Sequence, residues 1–142
     1  MKKIFFPSLK KQRGQSLIEM GLSMVVILML LAGAINTGYG FFALIAVRDA
    51  AEEGALYGSL NPTLTANITA RARAASTIPS SLSSATVTVS TPNGTCPGKP
   101  LTVTVSLTIP VFMPLAGLFV GNTFPVQANS TSTILTSATT GC

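Results

Sequence analysis

Glu19-Met20-Gly21-Leu22-Ser23-Met24-Val25-Val26-Ile27-Leu28-Met29-Leu30-Leu31-Ala32-Gly33-Ala34-Ile35-Asn36-Thr37-Gly38-Tyr39-Gly40-Phe41-Phe42-Ala43-Leu44-Ile45-Ala46-Val47-Arg48 is the stretch that decides the fold. Two charges bracket 28 consecutive uncharged residues, Met20 to Val47. As a helix that run is about 42 Å long at ~1.5 Å per residue, against a bilayer hydrocarbon core of ~30 Å. It can cross once, tilted or protruding. A secretory signal core is shorter, ~7–15 apolar residues ahead of a small-residue cleavage site, so the length argues for a retained segment.

Within the run, Gly33, Gly38, Gly40 and Asn36 fall inside eight residues. Two readings stay open. The helix is locally weak there, each glycine costing about 0.5–1 kcal/mol relative to alanine. Or it packs closely, with Ala34 and Gly38 as a small-xxx-small pair and Asn36 bonding a neighbouring helix.

Downstream the helical pattern continues. Val47, Ala51, Gly54 and Gly58 form a small-residue stripe, while Arg48, Asp49, Glu52 and Glu53 cover the other side. One helix of residues 15–58 is therefore expected to leave the bilayer with an amphipathic end. Asn61-Pro62 is expected to cap and start a short second helix, with Leu64, Ile68, Ala72 and Ala75 as its weak apolar face.

After Pro79 the texture turns to Thr, Ser and Val. Thr86 to Ser90 alternates with period two. Leu101, Val103, Val105, Leu107 and Ile109 alternate with Thr102, Thr104, Ser106 and Thr108, which predicts a strand with one buried and one wet face. Pro92-Asn93-Gly94 marks a turn, so the two runs should pair as an antiparallel hairpin with a long loop. A proline-punctuated apolar stretch, Pro110 to Gly121, precedes a last strand from Phe124 to about Leu135. Three or four strands against a short helix can bury a modest core. The expected class is α+β: a long N-terminal transmembrane helix, a short helix and a small antiparallel sheet over residues 61–142.

Composition agrees with a lipid-facing part. Hydrophobic residues make up 47% and charged residues 9% of the 142, against ~25% charged in ordinary soluble domains. The net charge of +5 is local: Lys2, Lys3, Lys10, Lys11 and Arg13 all precede residue 14, and the remaining charges cancel. A basic stripe on a folded face would suit nucleic acid. A basic cluster ahead of an apolar run instead places the N-terminus in the cytoplasm and the C-terminal domain outside.

Arg13-Gly14-Gln15-Ser16-Leu17-Ile18-Glu19 sits where leader meets helix. A glycine lets the backbone enter a protease site in extended form. A carboxylate at the lip of an apolar run is costly in lipid unless paired. Cleavage after Gly14 would create an α-amine at Gln15 able to pair with Glu19. Without cleavage, Gly14 is a linker residue and Glu19 snorkels at the interface.

Gly14 to Glu19 resembles the type IV pilin processing site, in which prepilin peptidase cuts after the glycine and glutamate is the fifth mature residue. The rest of the chain resembles the TadE-like pseudopilins of tight-adherence (Flp) pili. The match runs through Val47-Arg48-Asp49-Ala50-Ala51-Glu52-Glu53-Gly54-Ala55 and through Leu101 to Ser106 leading into Pro110 to Leu115. That family often carries a second arginine four residues after the first, where this chain has Glu52.

The resemblance implies a pilin-like fold and a minor pilin or pseudopilin, cut by a dedicated peptidase, with residues 1–14 as leader. Its partners would be prepilin peptidase, other pilin subunits, the assembly machinery and the bilayer, with no cofactor, nucleic acid or small-molecule substrate. The major subunit of such pili is much shorter.

Enzymatic chemistry finds little to work with. There is no His, Asp49 is the lone Asp, and the four carboxylates lie on one helix or at its lip. No serine sits in a nucleophile-elbow pattern, and the three Asn-X-Thr/Ser triplets are background in so Ser/Thr-rich a chain. Cys96 and Cys142 both follow the apolar run, on the side where disulfides persist. Their single intramolecular pairing is Cys96–Cys142; two free thiols or an intermolecular bond from Cys142 are the alternatives. The rival reading from another class is an uncleaved single-span envelope protein whose small exported domain binds a ligand.

Overall fold

The computed structural model describes residues 14–112 and 121–136. Helix α1 runs from Gln15 to Leu60, about 69 Å at ~1.5 Å per residue. Helix α2 (Thr65–Ala74) and a short 3-10 turn (Ser80–Ser84) follow. Strands β1 (Thr86–Ser90), β2 (Pro100–Pro110) and β3 (Thr123–Thr133) form one antiparallel sheet in the order β1-β2-β3. The fold is α+β, as the sequence predicts.

Helix α1 has two halves with different surroundings. From Gln15 to Phe42 no residue is buried, and among the described residues nothing buries the most apolar stretch. From Ala43 upward one face closes: Ala43, Val47, Ala50, Ala51, Gly54 and Gly58 are buried at three- and four-residue spacing. Because these side chains are small, the sheet comes close to the helix axis. A Cβ on Gly58 would lie 2.8 Å from Leu101 Cδ2, and one on Gly54 would lie 3.1 Å from Val103 Cγ1.

The sheet turns its alternate residues to this face. Leu101, Val103, Val105, Leu107 and Ile109 of β2 are buried, with Val126 of β3 and Ile134 just beyond it. Full burial of a side chain such as Leu101 contributes about 1.5–3 kcal/mol. The opposite face is wet and carries Thr and Ser, with Thr102 Oγ1 and Thr131 Oγ1 2.8 Å apart across β2 and β3. Register runs from Thr86↔Ser106 to Ser90↔Thr102 and from Pro100↔Thr133 to Pro110↔Thr123. The long β1–β2 loop turns at Gly94, whose φ of 87° suits glycine and whose N–H donates to Thr91 O. The loop is then tied to the residue just beyond β3, because Gly98 N–H donates to Ile134 O and Ile134 N–H donates to Lys99 O.

Two expectations change. Asn61 does not open the second helix; it ends the first. Residues before proline avoid the α region, and Asn61 leaves it (φ −136°, ψ 62°) while both its N–H and its side-chain amide reach Tyr57 O. A turn through Asn61–Leu64 follows, and α2 begins at Thr65. Of the expected apolar face, Ile68 and Ala72 are buried, whereas Leu64 and Ala75 are exposed. The sheet also rests chiefly on the upper part of α1 rather than on the short helix alone, with α2 filling in beside Gly54 and Gly58 through Ile68 and Ala72.

Candidate functional site: the lower helix and its junction with the sheet

Gly14 stands just ahead of α1 with helical backbone angles (φ −91°, ψ −27°), and its carbonyl accepts from Ile18 N–H at 3.3 Å. Gln15 is therefore the first helical residue, and Glu19 lies one turn above it. In a helix, residues four apart share a face and side chains lean toward the N-terminus. The Cα–Cβ bond of Glu19 thus tilts toward Gln15. Around it Leu17 and Ile18 are 74% and 72% exposed. Such a surface requires a cover of lipid or other helices.

The helix passes through Gly33, Ala34, Asn36, Gly38 and Gly40 without a break. Among the described residues, a Cβ on Gly38 or Gly40 would meet no atom within 4 Å. These two glycines leave open space on the helix, in contrast to Gly54 and Gly58. Asn36 has a partner in its own chain: its Oδ1 accepts the backbone N–H of Phe112 at 2.9 Å. Beside it the rings of Tyr39 and Phe112 meet edge to face, 5.7 Å between centroids. The segment leaving β2 is thereby fastened to the middle of α1.

Five of the charges above the apolar run, Arg48, Glu52, Glu53, Arg71 and Arg73, make local contacts. Arg48 Nε lies 3.1 Å from Glu52 Oε1, one turn apart and exposed. Glu52, standing where the resembling family often has arginine, thus gives Arg48 a partner worth about 0.3–0.5 kcal/mol. Arg71 lies 3.9 Å from Glu53 and over the Tyr57 ring, and Arg73 Nε donates to Ala85 O. Among the described residues no group of three or more His, Cys, Asp or Glu could hold a metal.

Cys96 lies in the β1–β2 loop and is not a free thiol. Cys142, and with it the Cys96–Cys142 pairing, falls outside the described residues, as do the basic leader and Met113 to Val120. Sequence reasoning did not find the Asn36–Phe112 bond. Its one signal was a lone amide in an apolar run.

Helix and sheet together define a class of protein: a long helix, apolar and unburied along its lower half, carrying a small antiparallel sheet on its upper half. Residues 14–56 match the model of the family described as TadE-like protein, consistent with a TadE-like protein of the tight-adherence pilus system. The matched segment starts at Gly14 and covers nearly all of α1. The sheet, including the resemblance in Leu101 to Leu115, lies beyond it. No curated protein and no solved structure matches the chain.

Proposed function

We propose that the chain is a pilin-like structural subunit of the tight-adherence pilus system, cut after Gly14 by prepilin peptidase and assembled through α1. The observation that carries this reading is the coincidence at one peptide bond: the family match opens at Gly14 and the helix opens at Gln15. The bare lower half of α1 supports it further. That surface suits a single crossing of the bilayer before assembly, and a bundle of neighbouring helices afterwards. In this reading the N-terminus is cytoplasmic, the sheet domain is exported, and the partners are the peptidase, other pilin subunits and the assembly machinery. The role is structural rather than catalytic.

The mature N-terminus tests it. Intact mass of the chain from membranes or sheared pili should correspond to a start at Gln15, with all five leader cations lost. Loss of one ammonia is allowed, since an N-terminal glutamine can close to a pyroglutamyl ring. A chain that retains Lys2 to Arg13 would sink the peptidase reading and leave the anchored envelope protein in its place.

A further inference from the structure

All four phenylalanines among the described residues, Phe41, Phe42, Phe112 and Phe124, lie at one level of the molecule. Phe112 is fastened to Asn36 and Tyr39 of α1. Phe124 faces Phe41 and Leu44 across a groove of about 560 Å³ between α1 and the ends of β2 and β3. The four rings are 44–64% exposed, and Leu44 and Ile45 beside them are exposed too.

That level coincides with a membrane edge. With Glu19 at the inner lip, twenty residues of helix rise about 30 Å, which places Tyr39 at the far side of the ~30 Å hydrocarbon core. Phe41 and Phe42 follow within about 5 Å. The first charge above, Arg48, stands about 13 Å higher than Tyr39. Tyr and Trp concentrate at this depth in membrane proteins, and Tyr39 stands there; Phe is among the side chains that an interfacial surface buries at the boundary between headgroups and acyl chains.

We propose that the base of the sheet domain is a lipid-binding surface, an aromatic collar of Phe41, Phe42, Phe112 and Phe124 seated in the outer-leaflet interface of a phospholipid bilayer. The proposal rests on the membrane crossing of α1 but not on its cleavage. The geometry favours lipid over a second copy because the apolar groups surround the helix. Taking the sheet-facing side at Ala43, Phe42 and Leu44 lie about 100° to either side, with Phe41 at the outer edge of the groove that Phe124 lines and Ile45 on the face away from the sheet. Phe112 and Phe124 close the ring from the sheet side. A contact between subunits would occupy one side of this ring; a leaflet surrounds it.

The chain contains no Trp, so each introduced indole is a unique reporter. Full-length L28W, F112W, F124W and L56W variants would be reconstituted in phosphatidylethanolamine–phosphatidylglycerol vesicles with and without brominated acyl chains. L28W reports the crossing itself and L56W a helix site far above the collar. The expected result is that bromine removes most of the emission of L28W, F112W and F124W and leaves that of L56W unchanged. Quenched L28W with unquenched F112W and F124W overturns the collar alone. Unquenched L28W removes the membrane crossing and the collar with it. Blue-shifted but unquenched F112W and F124W emission that changes with the protein-to-lipid ratio assigns the surface to a second copy instead.

Discussion

The backbone N–H of Phe112 donates to Asn36 Oδ1 at 2.9 Å, joining residues 76 positions apart in sequence. Asn36 is thereby a bracket: it holds the segment that leaves β2 against the middle of α1, just below the point where the helix starts to bury its face.

Removing the bracket should have a small and local cost. Asn36→Ala leaves the Phe112 N–H without its acceptor, and a hydrogen bond of this kind contributes about 0.5–1.5 kcal/mol net. Amide exchange at Phe112 should speed up while Val103, at the sheet centre, keeps its protection. Unchanged exchange at Phe112 would show that the bond carries no weight.

Gly58 should tolerate no side chain. Its added Cβ would lie 2.8 Å from Leu101 Cδ2 and 3.2 Å from Ile68 Cδ1, and both side chains are fully buried, so their ends would have to shift within the core. Overpacking of about 1–3 kcal/mol outweighs the ~1 kcal/mol that alanine gains over glycine in a helix. Gly58→Ala should therefore lower the melting temperature of the sheet domain. An unchanged or higher value would mean that the helix–sheet contact is looser than its geometry.

Gly38 offers the contrast. No described residue comes within 4 Å of where its Cβ would lie, so Gly38→Leu should leave folding and membrane insertion intact. Any loss should appear in co-purification with other pilin subunits or in recovery from sheared pili. A defect confined to insertion defeats the idea that this face packs against a neighbouring helix.

The Cys96–Cys142 pair would close 45 intervening residues, and disulfides typically contribute ~2–4 kcal/mol. Cys96→Ser and Cys142→Ser should each lower the melting temperature of non-reduced protein by the same amount, and the double variant by no more. Free thiols on both cysteines in surface material rule the pair out.

What the sequence made legible was what repeats along the chain. Twenty-eight uncharged residues and the Val47, Ala51, Gly54, Gly58 spacing showed the long helix and its docking stripe, and strict alternation from Leu101 to Ile109 showed β2 and its buried side. The helix boundary at Asn61-Pro62 was misread because the same pair serves equally as a stop for one helix and a start for the next; only the bond from Asn61 N–H back to Tyr57 O decides it. The contacts of Asn36 with Phe112 and of Arg73 with Ala85 could not be read at all. Each joins a side chain to a distant backbone group, and a backbone group leaves no trace in residue type.

Glu19 is where the proposed assembly mechanism is most exposed to test. In the proposed topology it would sit at the cytoplasmic lip of the bilayer, where water and headgroups would solvate the carboxylate. Assembly would draw α1 out of the lipid into a bundle of helices, and an isolated charge in that apolar interior costs several kcal/mol unless it pairs or takes up a proton. Cleavage at Gly14 would supply the partner, an α-amine on Gln15. On the same chain that amine lies about 6 Å below along the axis, on the side toward which the Cα–Cβ bond of Glu19 tilts. On an incoming chain it would be reached at one stagger only, so an intermolecular pair would fix the axial register. Glu19→Ala should leave insertion and cleavage intact and reduce recovery in pili and in pull-downs with other pilin subunits. Glu19→Asp should be intermediate, since the carboxylate remains one methylene shorter. Normal assembly of Glu19→Ala in correctly cleaved protein would reduce Glu19 to an interfacial anchor and end the pairing mechanism.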